Sequence, residues 1–122
     1  MKRILIVDDF EPGRLVLREK LERKGYTCEE VENGSEALKN LQASHFDLVI
    51  TDNQMPVMTG LEMIRSLAKN SNDQQPPIIL LTGNPSNNLC SKAREAGVEA
   101  VFPKPYNERD LSLAITRILE PR

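Results

Sequence analysis

Short, continuously apolar runs alternate along this chain with longer segments whose apolar residues recur every three or four positions. Arg3–Val7, Leu48–Asp52 and Ile78–Thr82 are rich in Ile, Val and Leu and show little polar alternation. Such runs read as strands buried on both faces of a parallel sheet, because a strand with one wet face alternates. Tyr26–Val31 is partly polar, which predicts an edge strand, and Ala100–Phe102 is a short fifth. Between them the period becomes helical. Pro12 opens a first helix to about Lys24, with Leu17 and Leu21 four apart and Val16 beside them, and Gly25 stops it. Asn33 with Glu36 resembles a capping box and starts a helix with Ala37, Leu38 and Leu41 inward. Thr59-x-x-Glu62 is another, leading a helix with Leu61, Ile64, Leu67 and Ala68 on one side. The polar stretch Lys69–Pro77 reads as a loop before the fourth strand. A short helix spans about Ser86 to Ala96 and ends at Gly97. The last, about Glu108–Leu119, carries Leu111, Ala114, Ile115, Ile118 and Leu119 at clear helical spacing. Five strand–helix units predict an α/β fold, a doubly wound parallel sheet with helices on both faces.

Composition narrows the class. The 122 residues fit one domain of the common size of about 100–150 residues. Sixteen basic against 18 acidic residues leave no strong field for nucleic acid or anionic lipid, so neither is an expected partner. The apolar stretch Ile4–Val7 is far too short for a signal peptide or a membrane span, and a cytoplasmic location is expected. Cys28 and Cys90 form no metal-type pair and no disulfide framework; both are expected to be small buried hydrophobes.

The chemistry gathers at strand ends. Asp8 and Asp9 follow the first strand, Asp52 closes the third, Thr82 closes the fourth and Lys104 follows the fifth. The carboxyl ends of strands are where α/β sheets place ligands. If the first and third strands are neighbours, three carboxylates converge. At 4 Å and an effective dielectric of about 20, two like charges repel by roughly 4 kcal/mol. Protons or a cation must relieve that repulsion. An all-oxygen set suits a hard cation, and Mg2+ best, since it takes one or two carboxylates and keeps sites for water and phosphate. Phosphoryl transfer to a carboxylate uses this set. Asp52 is the candidate nucleophile. Asp8 and Asp9 are candidate Mg2+ ligands. Lys104 would pair with one phosphoryl oxygen, and Thr82 would donate a hydrogen bond to another.

Each residue has an ordinary reading as well. An acid after a strand commonly caps the next helix, Thr82 alone would end a strand, and Lys104 alone would be a solvated lysine. Their joint occurrence at one sheet edge favours the phosphate–metal reading. Gly83 reads as a turn residue that also leaves room near a phosphate. His45 reads as a surface imidazole, Met55, Met58 and Met63 as packing, and Phe102 as core or helix-facing surface. Other classes fit less well. A dinucleotide site needs a glycine-rich first turn, whereas Asp8–Gly13 is acidic. A haloacid-dehalogenase-type phosphatase would place its nucleophile on the first strand with a second Asp two residues later, and the cap insertion of that class is missing. No segment resembles a kinase nucleotide lid or a phosphodonor histidine, so phosphate would come from a partner or a small phosphodonor.

Taken in order, Ile4–Asp9, Asp52 with Met55-Pro56 and Gly60, Leu80-Leu81-Thr82-Gly83, Ala96-Gly97 and Pro103-Lys104-Pro105 resemble the receiver domain of two-component response regulators. The resemblance covers residues 1–122, read as one receiver domain. It implies a flavodoxin-like (βα)5 fold with strand order 2-1-3-4-5 and a cis Lys104–Pro105 bond. It implies that Asp52 is the phosphoacceptor, Asp9 a direct Mg2+ ligand, Asp8 a ligand through water, and Gln54 a ligand through its backbone carbonyl. A histidine kinase or phosphotransfer protein would be the donor, and an output domain or partner protein would read the face of the fourth helix, fifth strand and fifth helix. Such a domain catalyses its own phosphorylation and dephosphorylation and is not a turnover enzyme. A phosphorylation-independent interaction module of the same fold is the alternative. One position departs from the family. Three residues before Lys104, where relatives carry Tyr or Phe, stands Val101; Phe102 follows on the opposite face of the strand. The usual coupling between Thr82 and a switch aromatic is therefore expected to be muted or rerouted.

Overall fold

The computed structural model describes residues 1–70 and 75–120. Its elements alternate as β1 (Arg3–Val7), α1 (Glu11–Arg23), β2 (Thr27–Val31), α2 (Gly34–Ala43), β3 (Leu48–Asp52), α3 (Gly60–Asn70), β4 (Ile78–Thr82), α4 (Asn87–Glu95), β5 (Ala100–Pro103) and α5 (Glu108–Leu119). The strands form one parallel sheet in the order β2-β1-β3-β4-β5. Continuous burial of β3 and β4 matches their unbroken apolar runs, and the more polar β2 lies at an edge.

Side-chain alternation sorts the core into two layers. Ile4, Ile6, Ile50, Ile79 and Leu81 meet α1 and α5 through Leu17, Leu21, Leu111 and Ile115. Leu5, Val7, Val49, Ile78 and Leu80 meet Ala37, Met63, Ile64 and Ala93 of α2, α3 and α4. Each fully buried Leu or Ile contributes about 1.5–3 kcal/mol, so both layers are needed to hold a sheet covered on two faces. Caps then fix where helices begin. Glu62 N–H donates to Thr59 Oγ1 (3.1 Å) and Thr59 N–H to Glu62 Oε1 (2.8 Å), a complete capping box. At α2 the Glu36 N–H donates to Asn33 Oδ1 (2.8 Å), but Glu36 reaches back to the N–H of Glu32. After α1 and α4, Gly25 and Gly97 adopt φ of 95° and 92°, the left-handed turn that favours glycine.

Several expectations need correction. Val16 is 49% exposed, because it lies round the helix from the Leu17–Leu21 row that faces the sheet. Ala68 is exposed for the same reason relative to Leu61, Ile64 and Leu67. Leu38 and Leu41 are only half-buried. Cys28 is buried, which pushes its thiol up to about 11, whereas Cys90 is half-buried on the outer helix α4. β2 starts at Thr27, leaving Tyr26 just outside, where its hydroxyl donates to Glu120 Oε2 at 2.8 Å. Exposed His45 lies 3.2 Å from Asp47 Oδ1. Within the polar stretch Lys69–Pro77, residues 71–74 lie outside the described residues.

Candidate functional site

Parallel pairing puts the carboxyl ends of β1, β3, β4 and β5 on one edge, with Val7 opposite Thr51 and Thr82 opposite Pro103. Asp8, Asp9 and Asp52 meet there. Each offers an oxygen within 4.8 Å of the others. Asp8 and Asp52 are buried, 7% and 6% exposed, and Asp9 faces solvent. None of the three caps a helix: α1 has Phe10 at its N-cap with no side-chain cap, and α3 is capped by Thr59. Asp8 Oδ1 accepts from the Phe10 N–H at 3.0 Å, and the Gln54 N–H lies 3.4 Å from Asp52 Oδ1.

Lys104 reaches into this cluster from the turn after β5. Its Nζ lies 3.1 Å from Asp8 Oδ2 and 3.4 Å from Asp52 Oδ2, and its N–H donates to the Thr82 carbonyl at 2.8 Å. The Lys104–Pro105 bond is cis, as the resemblance implied. Burial pushes the Asp52 carboxyl above its ordinary range; Lys104 pulls against this, the Asp8 charge adds to it, and the net shift is upward. Burial would lower Lys104, but Asp8 and Asp52 outweigh it and hold the ammonium charged. Three carboxyl groups converge on a single lysine, an oxygen-rich set short of positive charge.

The loop after Asp52 is tightly determined. Asn53 N–H donates to the Leu81 carbonyl (2.8 Å), while its Oδ1 accepts from Leu61 N–H (3.0 Å) and its carbonyl from Gly60 N–H (3.0 Å). Val57 in this loop has φ of 72° and a fully exposed side chain. Thr82 is 0% exposed; its Oγ1 donates to Gln54 Oε1 (3.1 Å) and accepts from Asn84 N–H (3.1 Å). Gly83 N–H also donates to Gln54 Oε1, at 2.9 Å. Sequence reasoning assigned Gln54 only a backbone role, so this side-chain contact was missed.

Arg14 was missed as well. Buried on α1, it donates from Nη1 to the Asp8 carbonyl (2.6 Å) and from Nε to Glu30 (2.7 Å), which Arg18 also holds at 2.9 Å. Burial would raise Glu30, and the two guanidiniums more than reverse it. A signal existed: Arg14 falls three and seven residues before Leu17 and Leu21, on the inward row, where a charge must find partners. On β5, Val101 packs with the α2–α4 layer and Phe102 with the α1–α5 layer, opposite faces as expected.

Comparison with known proteins agrees with this geometry. The family model described as the response regulator receiver domain matches residues 4–116. The chemotaxis protein CheY of Pseudomonas aeruginosa is 32% identical over 119 residues, covering 97% of this chain and 96% of that protein. The transcriptional regulatory protein ResD of Bacillus subtilis is 33% identical over 96% of this chain, which spans 48% of ResD. Among solved structures, the chemotaxis protein CheY4 of Vibrio cholerae has a TM-score of 0.89 at 33% identity, covering 98% of this chain and 99% of that one. The response regulator TrrA of Thermotoga maritima, solved in complex with Mg2+–BeF, has a TM-score of 0.84 at 36% identity, covering 98% and 100%. A sheet order, an acid cluster and a lysine read from the residues thus meet a family match over nearly the whole chain: it belongs to the response regulator receiver domains.

Proposed function

We propose that this chain is the phosphoacceptor of a two-component phosphorelay and carries the phosphoryl group on Asp52. The observation that carries the reading is Lys104 lying between Asp8 and Asp52 at the edge where three carboxylates converge. An Asp52 oxygen forms the new P–O bond as the P–N bond to a donor imidazole breaks. The bonding pair leaves with the imidazole nitrogen, which then takes a proton from solvent. Lys104 would follow the charge from carboxylate to one phosphoryl oxygen, and the Thr82 hydroxyl and Gly83 N–H would donate to another. Hydrolysis reverses the state: water attacks phosphorus, the acyl P–O bond breaks, and carboxylate and inorganic phosphate are released. The domain therefore acts once per phosphorylation and is not a turnover enzyme.

Three converging carboxylate oxygens with no nitrogen or sulfur donor fit Mg2+. Asp9 directly, Asp8 through water, Asp52 and the Gln54 carbonyl would hold it, and it would offset charge as the phosphoryl group approaches. The Mg2+–BeF complex of TrrA supports the same occupant here. A histidine kinase or phosphotransfer protein in the cytoplasm is the donor, and the α4–β5–α5 face is read by an output partner. No helix among the described residues is long and apolar enough to cross a membrane. Acetyl phosphate with Mg2+ tests the reading by intact mass. One phosphoryl adduct is expected on the wild type and none on Asp52→Asn; the same adduct on both would overturn it.

A further inference from the structure

The Gln54 carboxamide occupies the two hydrogen bonds that an incoming phosphoryl oxygen needs. Its Oε1 accepts from Thr82 Oγ1 at 3.1 Å and from the Gly83 N–H at 2.9 Å. The atom facing them has to be oxygen, because a backbone N–H only donates. Thr82 has a single hydroxyl proton, and its oxygen already accepts from the Asn84 N–H. Neither donor is left free for an anion. Gln54 is also well placed to do this: it follows Asp52 by two residues, its N–H lies 3.4 Å from Asp52 Oδ1, and its side chain arcs to the end of β4.

On the reading of Asp52 as phosphoacceptor, we infer that Gln54 is a positioning residue that stands in for a phosphoryl oxygen at rest and must swing out before Asp52 is phosphorylated. Its chemistry suits that role. The carboxamide is neutral, so it adds no fourth negative charge to the acid cluster, as a carboxylate would. Gln54 is exposed, so its polar end passes to water when displaced. The anionic phosphoryl oxygen is the stronger acceptor and wins the exchange once attached, since charge-assisted hydrogen bonds exceed neutral ones by about twofold in strength. Thr82 thereby keeps an acceptor in both states. The switch at β4 is an exchange of acceptors, and Gln54 is a brake on the forward step.

The test compares wild type, Gln54→Ala and Gln54→Met, Met keeping the reach and bulk of Gln without its acceptor. The rate of adduct formation with acetyl phosphate and Mg2+ is followed by intact mass, and the Gly83 amide by NMR before phosphodonor is added. Both variants are expected to react about three- to tenfold faster, the size of one net neutral hydrogen bond. The resting Gly83 amide is expected to shift in both. A shifted amide with an unchanged or slower rate overturns the brake, and an unshifted amide overturns the contact on which it rests. No adduct on wild type overturns the Asp52 reading itself, a result distinct from equal rates in all three proteins.

Discussion

Gly60 packs so closely under Asp52 that a Cβ on it would lie 2.5 Å from the Asp52 carbonyl oxygen. The same Cβ would stand 3.0 Å from Leu80 Cδ1 and 3.1 Å from Asn53 Cα. Backbone cannot retreat as a flexible side chain can, so the first residue of α3 has to lack a side chain. Gly60→Ala is therefore expected to lose about 1–3 kcal/mol, the usual size of an overpacking penalty. Helix propensity alone favours Ala over Gly by about 1 kcal/mol. Urea unfolding decides between the two, and a stabilised variant would mean that the loop yields.

Val57 gives the opposite sign. A β-branched residue at φ of 72° is strained, and its fully exposed side chain buries nothing in return. Val57→Asn is expected to gain about 1 kcal/mol, because Asn tolerates the left-handed region. A urea midpoint at or below that of the wild type would contradict this.

The acid pair sets a pH dependence. Asp52 has its folded pKa raised above the ordinary 3.8 by burial first, so the folded state holds its proton more tightly than the unfolded chain. Stability from this group is then full below that ordinary value and falls as pH rises through the raised one. Asp52→Asn is expected to be more stable than wild type near neutral pH, with the gap closing in acid. Lys104 behaves as the complementary cation: its raised pKa keeps its contribution through neutral pH and loses it in strong alkali. Denaturation midpoints across pH check both; a wider gap between wild type and Asp52→Asn in acid would reverse the argument.

Removing a direct ligand should cost more than removing one that acts through water. Titration of Mg2+ is expected to show a larger loss of affinity for Asp9→Asn than for Asp8→Asn, whose carboxylate also serves Lys104 and the Phe10 N–H. Equal losses would contradict the assigned roles.

Val101 is stiff and short, and it cannot exchange between buried and exposed rotamers as an aromatic ring does. Backbone NMR with beryllofluoride and Mg2+ is expected to show its large shifts over Thr82–Ala96 and only small ones at Val101. Large shifts confined to β5, with Thr82–Ala96 silent, would exclude that route.

Strand order, caps and the three acids were legible because each rests on a local signal: an apolar run, a Thr-x-x-Glu spacing, an acid after a strand. Lys104 was legible only through its setting, since its two partners are 96 and 52 residues away in the chain. The Gln54 contact had no local signal at all, because it depends on how the β3–α3 and β4–α4 loops approach one another. Arg14 announced itself by position, a charge on an inward row, but Glu30 could not be paired with it before β2 was placed beside β1. Val16 and Ala68 were misplaced because helical spacing names the apolar positions without giving the width of the sheet that covers them.

Strand parity has a consequence for who can meet this site and who can hear from it. Asp52 follows the alternation of Ile50, and Thr82 that of Leu80, so the two side chains belong to opposite layers. Asp8 and Lys104 share a groove with Phe10, Gly13, Leu17 and Tyr106, open beside α1. Thr82 and Val101 lie instead over the side where Leu89 and Ala93 of α4 pack. On the reading of Asp52 as phosphoacceptor, a group carried there would sit on one layer and its Thr82 partner on the other. If Asp52 carries the phosphoryl group as proposed, substitutions around α1 are expected to alter the approach to it while leaving the packing of α4 untouched.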